Sequence, residues 1–79
     1  MEIREVLALN LKALRQVRGI SQEELAHRAN LDRTYISSLE RRIYAASIDV
    51  VDRLAKVLGV DAYELLKMPI PPQQDSELK

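Results

Sequence analysis

The most informative part of the sequence is residues 21–41, SQEELAHRANLDRTYISSLER. It predicts two short helices, over about 22–29 and 33–41, joined by a turn of only three or four residues. Asn30 tolerates the left-handed backbone conformation that a sharp turn requires. So short a connection forces the two helices to cross steeply, and the small side chain of Ala26 permits their close approach.

The second of these predicted helices has two different faces. On its apolar face, Ile36 and Leu39 are expected to hold the helix pair against a core, together with Leu25 of the first helix. The opposite face is polar, with small residues at its centre and arginine at both ends: Arg33, Thr34, Ser37, Ser38 and Arg41. The major groove of B-DNA, about 12 Å wide, admits a helix whose exposed face is not bulky. The pattern therefore predicts a DNA-binding helix-turn-helix; the alternative is the ordinary solvated face of a core helix.

Arg33 can donate two hydrogen bonds to guanine, and the hydroxyl side chains can contact base edges or a thymine methyl group. We therefore predict base readout by Arg33, Thr34, Ser37 and Ser38.

The rest of the chain predicts further helices. Apolar residues at spacings of three and four indicate a helix over about 3–18, which Gly19 ends. Ser21 and Asp32 are predicted N-caps for the helix pair. Within the capping box, Glu24 is expected to reach back to the start of the helix that Ser21 caps.

Two more helices are predicted after the pair. Ser47 is the expected N-cap of a fourth helix, over about 48–58, that Gly59 ends. Residues 61–64 resemble another capping box, opening a fifth helix to about Lys67. The prediction is an all-α, five-helix domain over residues 3–67, followed by a flexible, proline-rich C-terminal tail over 68–79.

Composition excludes several classes of protein. The chain has 79 residues, which allows one small domain, and its two Gly and three Pro are too few for an all-β fold. It has no Cys and one His, so we expect no disulfide, no metal site and no cofactor. No apolar run approaches the roughly 20 residues that span a bilayer, and no signal sequence is recognisable. We expect a cytoplasmic protein with no membrane association.

Net charge is zero, but the charge is unevenly distributed. Residues 1–18 and residues 27–44 each carry four basic and two acidic side chains, whereas residues 45–79 carry four basic and six acidic ones. Such a difference in sign is expected if one face meets phosphates.

Candidate catalytic groups have simpler explanations. His27 is expected to be solvated or to touch a single phosphate, since no partner constellation accompanies it. Asp49 suits the first turn of its helix, and Asp52 is expected to be solvated. We therefore expect that the protein is not an enzyme.

The C-terminal third contains more apolar residues than one short helix can bury. We predict a homodimer interface that includes Tyr63, Leu65, Leu66 and Met68. The alternative is that Met68 and Ile70 fold back on their own subunit.

Several segments together resemble the phage-repressor, or Cro/XRE-type, helix-turn-helix family over about residues 5–67. The resemblance is carried by Arg15, Gly19-Ile20, residues 21–26, Asn30-Leu31, residues 36–40 and the Gly59-Val60-Asp61 hinge. Residues 30–37, Asn-Leu-Asp-Arg-Thr-Tyr-Ile-Ser, more narrowly resemble the controller proteins of restriction–modification systems.

This resemblance implies a homodimer that binds a palindromic double-stranded DNA operator and regulates transcription, often of its own gene. It implies base contacts from Arg33 and Thr34. Phosphate contacts are expected from Gln22, Tyr35, Arg41 and Arg42. The chain departs from the family in having Arg41-Arg42-Ile43 where many members have glycine, and Tyr44 near where some controllers have a basic residue.

Arg15 and Glu40 are the predicted structural ion pair. An acidic residue in the last turn of a helix is unfavourable unless a cation lies nearby, and arginine can pair with it through two hydrogen bonds. The family resemblance also implies a buried pair at these positions. The alternative is a Glu40 that points into solvent.

Two functional alternatives use the same scaffold. One is a protein-interaction module such as an antitoxin, and the other is a purely structural helical adaptor, which leaves the arginine-flanked face unexplained. An activator would also need a surface for RNA polymerase, for which the acidic C-terminal half is the candidate.

Overall fold

The computed structural model describes residues 1–69 and contains five helices. They are α1 (Ile3–Val17), α2 (Gln22–Ala29), α3 (Arg33–Glu40), α4 (Ile48–Leu58) and α5 (Ala62–Leu66). The all-α prediction is confirmed, and α1, α3 and α5 each end one residue earlier than predicted. Residues 70–79 of the predicted tail lie outside the described residues.

Three predicted N-caps are present. The hydroxyls of Ser21 and Ser47 accept hydrogen bonds of 3.0 and 3.1 Å from backbone amides three residues further along. The Asp32 carboxylate accepts one of 3.0 Å from the amide two residues further along. Each bond satisfies an amide that the first turn of a helix leaves without a backbone partner.

The two predicted capping boxes do not form: Glu24 does not reach back to the start of α2, and Asp61 does not cap α5. The Glu24 carboxylate binds Arg28 at 2.6 Å, one helical turn further along, instead of reaching back to the start of α2. Asp61 precedes α5 without a side-chain cap hydrogen bond. A cation four residues after a glutamate competes directly with the box geometry.

Left-handed backbone conformations occur at the three predicted turn positions. Gly19, Asn30 and Gly59 have φ angles of 70°, 57° and 72°. A fourth such residue, Arg42, has a φ of 65° and was not predicted. Its position next to Arg41, the C-cap of α3, places it beside the predicted DNA-binding face.

The core lies between α1, the α2–α3 pair and the two C-terminal helices. Leu25, Ile36 and Leu39 are at most 1% exposed, so they hold the pair as predicted. Leu65 is also fully buried, at 0% exposure, which makes its predicted place in a dimer interface wrong. Because α5 packs against both α1 and α4, its inward position belongs to the monomer core.

Polar side chains of Asn10 and Arg18 bind carbonyls at the C-terminal ends of neighbouring helices. Asn10 donates to the carbonyls of Leu65 and Lys67 at 3.0 and 2.8 Å, beyond which α5 does not continue. Arg18 donates to the carbonyl of Leu58 at the end of α4, at 2.8 Å. These bonds satisfy helix carbonyls that have no intrahelical partner and so fix how the helices meet. None of the helices over residues 1–69 is both long and apolar enough to cross a membrane.

Candidate nucleic-acid interface

The outer face of α3 consists of Arg33, Thr34, Ser37 and Arg41. Arg33, Thr34 and Arg41 are exposed, and Ser37 is half-buried. The buried side of the helix turns these four side chains outward, as the sequence predicted. Within residues 1–69 no carboxylate pairs with Arg33 or Arg41, so both guanidinium groups can meet an anion.

Ser38 does not belong to this outer face, and its predicted exposure was wrong. The residue is 5% exposed, and its backbone carbonyl accepts a hydrogen bond of 2.9 Å from the amide of Ile43. Successive residues on an α-helix are about 100° apart, so Ser38 lies at the boundary beside the buried Leu39. At this boundary, the hydrogen bond from Ile43 to Ser38 brings the turn after α3 back against the helix.

The predicted pair of Arg15 and Glu40 joins α1 to α3. Two hydrogen bonds connect them, Nε to Oε2 at 2.7 Å and Nη2 to Oε1 at 3.0 Å. Only 12% of the Arg15 side chain and 4% of the Glu40 side chain are exposed. The hydrogen bond that Arg15 donates to Glu40 raises the pKa of Arg15. Arg15 also donates to the carbonyl of Ile20 at 2.9 Å, which fixes the chain before α2.

Gln22 joins the same network, although the sequence predicted only a phosphate contact for it. Its amide Nε2 donates to Oε1 of Glu40 at 3.0 Å. An amide group has two N–H bonds, so one remains for another acceptor. The network therefore places Gln22, at the first position of α2, in a fixed relation to α3.

Two tyrosines connect α3 to the loop that follows it. The half-buried Tyr35 and the exposed Tyr44 have ring centroids 6.2 Å apart, with planes tilted by 33°. The Tyr35 hydroxyl lies 3.5 Å from the carbonyl oxygen of Ala45. These contacts join Tyr35 to the loop of residues 41–47, which contains the predicted phosphate contacts Arg41 and Arg42.

Arg42 is exposed and forms an ion pair that the sequence did not predict. Its Nη1 lies 3.2 Å from Oε2 of Glu5, in the first turn of α1. The two residues are 37 positions apart in the chain, too distant for helical periodicity to relate them.

A separate apolar groove of about 480 Å³ lies between the N-terminal ends of α1 and α4 and the C-terminal helix. Its lining includes the exposed side chains of Ile3, Ile48 and Leu66, which are 60%, 87% and 39% exposed. Of the predicted interface residues, Leu66 lines this groove. Tyr63 and Met68 are exposed but border a different concavity beside Lys67 and Pro69.

The comparisons with known proteins agree with this geometry. A helix-turn-helix family model matches residues 11–65. The control protein C.SmaI from Serratia marcescens is 39% identical over 66 residues, covering 84% of this chain and 79% of that protein.

Solved structures extend the likeness to the fold. A hypothetical transcription factor from Neisseria superposes with a TM-score of 0.81 at 42% identity, covering 99% of this chain and 86% of the other. The restriction-modification controller protein C.Esp1396I, a tetramer in complex with its natural 35 base-pair operator, gives a TM-score of 0.72 at 32% identity, covering 85% and 99%. This chain therefore belongs to the XRE-type helix-turn-helix family of DNA-binding transcription regulators, and is related to the restriction–modification controller proteins.

Proposed function

We propose that this protein acts as a homodimer that binds a palindromic operator, with α3 of each subunit in a major groove. The observation that carries the proposal is the outer face of α3, which is slim, polar and flanked by two arginines that have no carboxylate partner within residues 1–69. Such a face fits a major groove about 12 Å wide.

Base readout is assigned to the N-terminal half of this face. Arg33 reaches O6 and N7 of guanine through two hydrogen bonds, and Thr34 contacts the neighbouring base pair through its hydroxyl or methyl group. Ser37 lies between them and Arg41 on the same face. Ser38 is removed from the set because it is buried.

Phosphate contacts surround the readout residues and set the position of the helix. Gln22 contacts the DNA backbone at the start of α2, where the helix dipole favours an anion. Tyr35, Arg41 and Arg42 contact the backbone at the other edge of the groove. These contacts supply affinity and salt dependence without reading sequence.

Dimerisation is assigned to the apolar groove. Ile3, Ile48 and Leu66 line this groove with exposed apolar side chains, and a contiguous exposed apolar patch is typical of an interaction site. A second copy that buries them would also supplement a core of limited size. Binding in successive major grooves requires this dimer to hold its two α3 helices about 34 Å apart, one turn of DNA.

Regulation follows from where the operator lies. The relation to controller proteins supports control of the protein's own gene, through an operator that overlaps a promoter. We assign no enzymatic activity, and we place the protein in the cytoplasm with the DNA that it regulates. Contact with RNA polymerase would be an additional role, for which the acidic C-terminal half is the candidate surface.

Selection of bound sites from a random duplex pool tests this proposal. The expected result is a palindromic consensus with half-sites about one helical turn apart. A Gln22→Ala variant serves as the control, because it should weaken binding about equally on all sequences and leave the consensus unchanged. A pool that shows no enrichment, or a consensus without two-fold symmetry, would contradict the proposal.

A further inference from the structure

Arg42 occupies a backbone position that suits glycine. It follows the C-cap residue Arg41 at the end of α3; its amide donates to the carbonyl of Leu39 at 3.1 Å, and the next amide donates to that of Ser38 at 2.9 Å. This pattern closes the helix and requires a left-handed residue, here with φ of 65°. A side chain with a β-carbon is disfavoured in that region, where glycine is not.

The Arg42 side chain does not compensate for this strain by packing. It is 56% exposed, and it pairs at 3.2 Å with the Glu5 carboxylate, itself 37% exposed. An ion pair in water contributes little to stability. A strained residue that packs poorly is more readily explained by what it binds than by the stability that it adds.

A carboxylate and a phosphate compete for the same guanidinium group. Both are oxygen anions that accept hydrogen bonds from arginine in similar geometry. Glu5 lies at the start of α1, so it brings this anion to the end of the DNA-facing helix from another part of the chain. The free protein thus has an internal anion on one of the groups assigned above to a DNA phosphate.

We propose that Glu5 sets the DNA affinity of this protein by occupying Arg42, which exchanges the carboxylate for a backbone phosphate when the protein binds DNA. The inference rests on the proposed function. Exchange cancels part of the gain from the phosphate contact, because the ion pair with Glu5 is lost when the phosphate binds. Because a phosphate contact reads no sequence, the reduction in affinity is the same on every duplex.

The test is a double-mutant cycle on DNA affinity, measured by fluorescence anisotropy with a selected operator and an unrelated duplex. Glu5→Gln should bind both duplexes about two- to fivefold more tightly per subunit at low salt, the size expected of an exposed ion pair. The gain should shrink as salt rises, since screening weakens both competing interactions. In an Arg42→Ala background, Glu5→Gln should have no effect.

Two further variants keep the result interpretable. Glu64→Gln removes one negative charge from α5, where Glu64 pairs with Lys67, and should leave DNA affinity unchanged. Arg42→Gly repeats the cycle with the backbone strain relieved, in case Arg42→Ala folds poorly.

A gain from Glu5→Gln that persists without Arg42 would overturn the inference, because Glu5 would then act through net charge alone. An unchanged or weaker affinity of Glu5→Gln would overturn it as well. If the wild-type protein binds neither duplex, the proposed function fails and this inference fails with it. Wild-type binding with an inert Glu5→Gln rejects the inference alone.

Discussion

Arg15 and Glu40 face each other through two hydrogen bonds of 2.7 and 3.0 Å, and the Glu40 carboxylate takes a third, of 3.0 Å, from Gln22. This one carboxylate therefore connects α1, α2 and α3. Removing one partner of a buried pair leaves the other charge without compensation, which costs more than the pair itself contributes. The orientation of α3 thus depends on a charge that solvent hardly reaches.

Glu40→Gln is expected to lower the free energy of unfolding by about 3 kcal/mol. The change leaves the Arg15 guanidinium largely buried without a counter-charge, and in a domain of this size such a loss is a large part of total stability. Urea unfolding and operator affinity measure the effect. Glu64→Gln, which removes an exposed partner of Lys67, is the matched control and should change stability by less than about 0.5 kcal/mol. If Glu40→Gln leaves both melting temperature and operator affinity unchanged, the pair has no positioning role.

Arg33→Ala should cost about 1–3 kcal/mol of operator binding and relax specificity at one base pair in each half-site. The guanidinium is exposed on the outer face of α3, so the folded structure should remain stable. Competition assays on operators substituted one base pair at a time measure the effect. A loss of affinity that is equal on every sequence would make Arg33 a phosphate contact instead.

The burial of Ser38 and Leu65 could not be predicted from the sequence. The helix pair and its caps follow from local signals, namely turn residues and capping side chains. The Arg15–Glu40 pair follows from the charge of Glu40 at a helix end together with the resemblance to the family. Ser38 lies at a face boundary, where periodicity alone cannot decide exposure. Leu65 is adjacent to Leu66 on a helix of five residues, and only its packing against α1 and α4 makes one of them core and the other surface.

The Glu5–Arg42 pair could not be predicted for a related reason. It depends on how α1 lies beside the end of α3, and on a left-handed arginine where sequence patterns favour glycine. The presence of Arg42 in a position that suits glycine was nevertheless visible as a departure from the family. Its pairing with Glu5 could be identified only from the position of the Arg42 side chain in the structure.

Ile48→Asp should convert the proposed dimer to a monomer without unfolding it. The side chain is 87% exposed in the isolated subunit, so the core does not depend on it, whereas a charge in a dimer interface would be desolvated. Sedimentation equilibrium at micromolar concentration and a thermal melt provide the measurements. Val17→Asp is the control, since Val17 is 75% exposed but does not line the groove. A strictly monomeric wild-type protein, or an Ile48→Asp dimer, would exclude the groove as the interface.

Glu24 should titrate below the ordinary range of a glutamate. The hydrogen bond from Arg28 lowers the pKa of this carboxyl, even though the pair is exposed. A pKa that is lowered on folding stabilises the folded state above the unfolded pKa, and the contribution is lost as pH falls through the folded value. NMR titration of the side chain measures the shift. In Arg28→Ala the pKa should rise towards its ordinary value, and an unchanged pKa would show that the hydrogen bond does not form in solution.

Arg42→Gly should stabilise the fold when it is made in a Glu5→Gln background, where the ion pair is already absent. Replacing a left-handed residue that bears a β-carbon with glycine removes backbone strain, and we expect a gain of about 1 kcal/mol after the greater freedom of glycine in the unfolded chain is subtracted. Arg42→Ala in the same background keeps the strain and should show no gain. Asn30→Gly should gain only a few tenths of a kcal/mol, roughly, since asparagine tolerates the left-handed region at little cost. Equal unfolding free energies for the glycine and alanine variants at position 42 would mean that the arginine is not strained, and the reason for expecting a binding role there would be lost.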